Sequence, residues 1–112
     1  MTDAKLLVCI ISNEKKLEEV LEALIEADIS RASILDVRGM FEYLTDEIPL
    51  FAGFRTLIER SGRTNKMILS VVENNEKLQH AFSIIEETYG SFSETNTGIM
   101  FSLDISDVRG IS

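Results

Sequence analysis

With 112 residues, 45% of them hydrophobic, the chain has room for one packed domain and too much apolar content for disorder. Its 19 Asp+Glu against 11 Lys+Arg leave a net charge of −8, a surface that repels phosphate backbones, so general nucleic-acid binding is not expected. One cysteine cannot form an internal disulfide, and the six-residue apolar run that follows Met-Thr-Asp-Ala-Lys is too short for a signal-peptide core or a membrane span. A soluble, cytoplasmic protein without direct membrane insertion is expected.

Leu6–Ile11 is a short apolar run, partly β-branched and closed by Ser12-Asn13, which predicts a strand. Asn13 suits an N-cap, and residues 17, 20, 21, 24 and 25 then form one apolar stripe with Glu18, Glu19, Glu22 and Glu26 outside it, which predicts a helix. Ala32–Val37 follows as a less apolar strand. Met67–Val72 predicts a third strand, Asn74 or Asn75 caps a second long helix, and Gly90 stops it. Ser91–Gly98 is a polar loop. Ile99, Phe101, Leu103 and Ile105 alternate with Met100, Ser102 and Asp104, the pattern of a half-buried fourth strand.

These elements are a tandem repeat. Lys5–Leu24 recurs as Lys66–Ile85, 61 positions on, with the opening lysine matched. Leu17, Val20, Leu21 and Leu24 correspond to Leu78, Ala81, Phe82 and Ile85. The end of the repeat has two incompatible alignments. Asp36-Val37-Arg38-Gly39 matches Asp107-Val108-Arg109-Gly110, whereas Leu35-Asp36-Val37 matches Leu103-Asp104-Ile105.

Two interleaved β-α-β halves in one domain, residues 1–112, predict an α+β fold of βαββαβ type. Its antiparallel sheet has the order 4-1-3-2, with two helices on one face. The central strands are apolar at nearly every position, so both sheet faces carry greasy side chains and the helices cover one. Bare apolar area costs about 25 cal/mol per Å² to leave wet. Association with further copies of the chain answers this, and so does a roof made by the middle segment.

That segment, residues 40–65, is too long for a structureless loop without a function. It holds Phe41, Tyr43, Phe51 and Phe54, four of the eight aromatics. Pro49 with Leu50, Phe54, Leu57 and Ile58 predicts a short amphipathic helix over Leu50–Ser61. Glu42, Asp46 and Glu47 precede it. Arg55, Arg60, Arg63 and Lys66 follow, facing only Glu59. This cationic cluster suits an anion or a partner protein, and equally the glutamates of a neighbouring helix.

The run KLEEVLEALIEADISRASILDVRG resembles the first half of the P-II signal-transduction proteins. Thr97-Gly98-Ile99-Met100-Phe101, with Asp104-Ile105 and Asp107-Val108-Arg109, is similar to that family's fourth strand and C-terminal segment. The resemblance implies a ferredoxin-like homotrimer whose sheets pack around a three-fold axis. It implies adenine-nucleotide sites in the clefts between subunits, and a long loop, here 40–65, that docks onto a transporter or an enzyme. It assigns ligand binding to Gly39, Gly98 and Arg109, with Arg38 as an added cation. The chain departs from the family at Met40-Phe41-Glu42-Tyr43, where a glycine-rich basic stretch is usual. It departs again at Asn96-Thr97-Gly98-Ile99, where the pattern is G-D-G-K, and at the C-terminal R-I-R, of which Arg109 alone remains. Gly39 and Gly98 also suit plain turns, and Arg38 and Arg109 also suit pairing with Asp36 and Asp107.

No nucleophile–base arrangement stands out, and an enzyme is not expected. The single histidine, His80, is placed on a solvent-facing helix flank, and Cys9 is placed in the core. No Cys/His cluster has zinc spacing. The expected function is regulatory: a trimer sensing a small anion, an adenine nucleotide among the candidates. An amino-acid-binding or metal-tolerance module of the same fold, and a ligand-free interaction subunit, are the alternatives.

Overall fold

The computed structural model describes residues 2–12, 16–54, 65–90 and 98–110. Along the chain run β1 (Lys5–Ile11), α1 (Leu17–Glu26), β2 (Ala32–Val37), α2 (Met40–Glu47) and a 3-10 turn (Pro49–Phe54). β3 (Asn65–Val72), α3 (Asn75–Tyr89) and β4 (Gly98–Asp104) complete it. The four strands form one antiparallel sheet in the order β2-β3-β1-β4, the expected order read from the other edge.

The period of two along the strands sorts side chains to opposite faces. Leu7, Cys9 and Ile11 of β1, with Ile68 and Val72 of β3, point to the helices and are fully buried. They meet Val20 and Leu24 of α1 and Leu78, Ala81 and Ile85 of α3 in one core. Each fully buried Leu or Ile contributes roughly 2 kcal/mol by leaving water. The stripe of α1 is placed differently from the one the sequence suggests. Ile25 is 65% exposed, and Ala23 and Ala27 take the inner positions instead.

Local signals end and begin the helices. Asp28 takes a positive φ of 63° after α1. The amide of Ile29 then donates to the Leu24 carbonyl at 2.8 Å and that of Asp28 to Ile25 at 2.9 Å. This pair of bonds, with buried Ile29 beyond it, stops the helix. At α3 the Asn74 side chain accepts from the Lys77 amide at 2.8 Å, and Gly90 at φ 114° closes the other end. The Asn13 cap, the loop before Gly98 and the cations Arg55, Arg60 and Arg63 lie outside the described residues.

The opposite sheet face is apolar in three ranks. Leu103, Leu6 and Val71 form the first. Phe101, Val8 and Leu69 form the second, ending at Ser33. Ile99, Ile10, Met67 and Leu35 form the third. Val8 at the centre is buried by its neighbours, yet Ile99 is 54% exposed, Leu103 53% and Phe101 39%. The described part of the middle segment does not roof this face. α2 packs chiefly on the 3-10 turn that follows it.

The middle segment differs from expectation. An unexpected helix opens it at Met40–Glu47, and residues 55–61 of the expected helix lie outside the described residues. Pro49–Phe54, expected to open a helix, is a 3-10 turn with Leu50 85% exposed. Among the described residues no helix is long and apolar enough to cross a membrane.

Strand register decides between the two alignments of the repeat. Lys5 of β1 lies opposite Asp104 of β4 and bonds it at 2.7 Å. Lys66 of β3 lies opposite Asp36 of β2 and bonds it in turn. Asp36 and Asp104 are therefore the equivalent positions. The four-residue match at Asp107–Gly110 falls beyond the strand and is not a structural correspondence.

Candidate functional site

The four residues assigned to ligand binding fall at two ends of the sheet. Arg38 and Gly39 follow β2 directly. Gly98 opens β4 at the same end, in the cross-strand row Gly98–Ile11–Lys66–Asp36. Arg109 is at the other end. There Arg31, just before β2, donates from Nη1 to the Gly110 carbonyl at 3.0 Å, which ties the C-terminal segment to the start of that strand. The Ser70 hydroxyl, itself buried, donates to the Arg31 carbonyl at 2.7 Å. Six strand residues separate the ends, about 20 Å at the usual rise. One chain therefore does not bring Arg109 to Arg38 and Gly98.

At the first end the two glycines have different reasons. Gly98 has φ 135°, and a Cβ there would sit 2.1 Å from the Ile10 carbonyl oxygen. Only glycine permits this approach of β4 to β1. Gly39 has an ordinary φ of −72° and caps α2 with its carbonyl, which accepts from the Tyr43 amide at 3.0 Å. A Cβ at Gly39 would meet nothing nearer than Asn65 Nδ2 at 3.9 Å.

The cations are already engaged. Arg38 Nη1 donates to Glu47 Oε1 and Nη2 to Asp46 Oδ2, both at 3.1 Å, and its Cζ lies 5.3 Å from the centre of the Tyr43 ring. The bond to Glu47, with help from Asp46, raises the guanidinium pKa further above its ordinary value. The expected partner Asp36 instead holds Lys66. Arg109 does pair with Asp107, the alternative the sequence offered, in a largely exposed position. Such exposed pairs are weak.

Sequence reasoning left out Arg31 and Lys77 near these ends, and had Lys66 only as part of the cationic cluster of the middle segment. Lys66 stands in the row between Gly98 and Asp36. Its match to Lys5 in the repeat was the available signal. Arg31 shares a cleft of about 150 Å³ with Val71, Val108, Arg109 and Gly110. Lys77, at the first turn of α3, lines an adjoining cleft of about 200 Å³ with Asp28, Arg31 and Glu73. Asp28 and Glu73 both pair with Lys77. Arg31 and Lys77 carry no motif, and only the fold brings them near Arg109.

Elsewhere the chemistry is quiet. His80 is exposed on α3. Among the described residues no group of three or more His, Cys, Asp or Glu could hold a metal ion. Burial pushes the Cys9 thiol up to about 12. The folded chain therefore keeps that proton to higher pH than the unfolded chain. This contribution to stability is whole below about pH 9 and is lost as pH rises toward about 12. Urea midpoints of wild type and Cys9→Ala are expected to converge between those limits, with a slope of up to about 1.4 kcal/mol per pH unit. A constant gap would mean that the thiol titrates normally.

A βαββαβ chain with this sheet order and both long helices on one face is ferredoxin-like. The sequence pattern of the family described as nitrogen regulatory protein P-II matches residues 5–112, and the chain belongs to that family. Among solved structures, PII of Arabidopsis thaliana bound to citrate has a similar fold, with a TM-score of 0.67 at 18% sequence identity. The likeness covers 99% of this chain and 82% of that one. No curated protein matches in sequence.

Proposed function

We propose that the protein is a cytoplasmic P-II-type regulator, not an enzyme. It works as a trimer that binds a small multivalent anion in the clefts between protomers. Arg38, Gly39 and Gly98 of one protomer form one side of each cleft, and Arg109 of the next forms the other. The ligand is an adenine nucleotide or a polycarboxylate, since a fold relative is described with citrate bound. Residues 40–65 change arrangement on binding and engage a protein partner such as a transporter or an enzyme.

The observation that carries this reading is the division of the candidate residues between two ends of one sheet. Neither end brings Arg38 and Arg109 to the same anion, and the bare sheet face supplies a reason for chains to associate. Calorimetry with ATP, ADP, AMP, cyclic nucleotides and citrate tests it, alongside light scattering for mass. Binding is expected only in the associated form, and Arg38→Ala and Arg109→Ala should each weaken it. Absence of heat from every nucleotide in a folded trimer would remove the nucleotide version, and absence with citrate as well would remove the sensor.

A further inference from the structure

α2 is a poorly supported helix. Its eight residues fall short of the length at which an isolated helix persists in water. Its last turn carries Asp46 and Glu47 at the negative pole of the helix dipole and no basic residue. Its main packing partner is the 3-10 turn, not the core. One carboxylate oxygen of Glu42 is buried without a partner among the described residues, which works against this seating. The missing cation comes from outside the helix. Arg38, ahead of the N-cap, runs back along α2, stacks over Tyr43 and donates to both terminal carboxylates.

We infer that Arg38 is a latch. Its guanidinium holds α2 folded through Asp46, Glu47 and Tyr43, and an anion that captures the same guanidinium releases the helix. The release step rests on the ligand reading above, whereas the latch itself does not. Ligand and α2 compete for one cation, so occupancy of the cleft is converted into loss of a helix whose exposed Met40 and Tyr43 belong to the segment assigned to partner docking. The competition follows from geometry. Both terminal nitrogens of the guanidinium already donate to carboxylates, so an anion that takes the two together in a bidentate pair has to displace Asp46 and Glu47.

The test uses the full-length protein and hydrogen exchange of the amides of residues 43–48, the ones that α2 protects. In ligand-free protein, Arg38→Gln and the double variant D46N/E47Q should each speed their exchange roughly threefold or more, as the loss of weak exposed pairs implies. Arg38→Lys should fall between Arg38→Gln and wild type. Amides of β1 and β3 should be unchanged in all of them, which separates release of α2 from unfolding. Unchanged exchange over 43–48 in Arg38→Gln overturns the latch. Calorimetry at matched ionic strength, with ATP and then citrate, tests the release. D46N/E47Q should bind the active probe about threefold more tightly than wild type, since its guanidinium no longer has carboxylates to leave. Equal affinity overturns the competition. If neither probe binds wild type or variant, the sensor reading fails and the release step with it, while the exchange data still decide the latch by themselves.

Discussion

Phe101→Asp is expected to leave a folded chain that no longer associates. Phe101 lies on the edge strand β4, 39% exposed, in the central rank of the uncovered face beside Val8. A carboxylate there can reach water in the isolated chain, so the core of Leu7, Ile68, Leu24 and Ile85 is untouched. In an assembly that covers this face the same carboxylate is buried without a partner, at a cost of roughly 3–5 kcal/mol in each subunit. Light scattering should report a single-chain mass, with the far-ultraviolet dichroism of wild type. Ser83→Asp on the exposed side of α3 is the matched control and should change nothing. Full assembly of Phe101→Asp would show that the apolar ranks are not the surface by which chains meet.

Gly98→Ala is expected to damage the fold itself. Its Cβ would lie 2.1 Å from the Ile10 carbonyl oxygen, a backbone atom that cannot swing aside, and alanine at φ 135° is strained before any contact is counted. A destabilisation of about 3 kcal/mol or more is the expected scale for clash and strain together. Gly39→Ala, with ordinary dihedrals and open space, should stay within about 1 kcal/mol of wild type. Urea unfolding of the two variants checks both. Similar midpoints would mean that β4 does not approach β1 so closely. The contrast also guides site mutagenesis. Weak ligand binding in Gly98→Ala would reflect a broken sheet edge, whereas Gly39→Ala, Arg38→Gln and Arg109→Ala probe the cleft without that confusion.

The sheet was legible because the repeat is a covalent record of it. Two matched apolar runs and two matched helix faces leave few ways to arrange four strands, and the handedness of β-α-β crossovers removes most of those. Asn74 and Gly90 announce the ends of α3 by chemistry that does not depend on the rest of the chain. α2 was not legible for the complementary reason. Its cap is Gly39, which has no side-chain oxygen, and the cation that steadies its last turn sits eight and nine positions away from its partners. Helical periodicity looks three or four positions ahead and does not see such a pairing. The alignment ambiguity at Asp36 could not be resolved from letters alone. It needed register, which shows each opening lysine facing the aspartate of an edge strand. The candidate site was half legible. Arg38, Gly39, Gly98 and Arg109 carry recognisable neighbours, but their separation along β2 is a property of three dimensions.

That separation reaches beyond the geometry of a cleft. If each pocket needs the far end of one molecule and the near end of another, dilution empties the pockets even when the metabolite is plentiful. The abundance of the chain then becomes an input of the same rank as the metabolite. A cell could silence the response by making less of the protein, with no change in its chemistry.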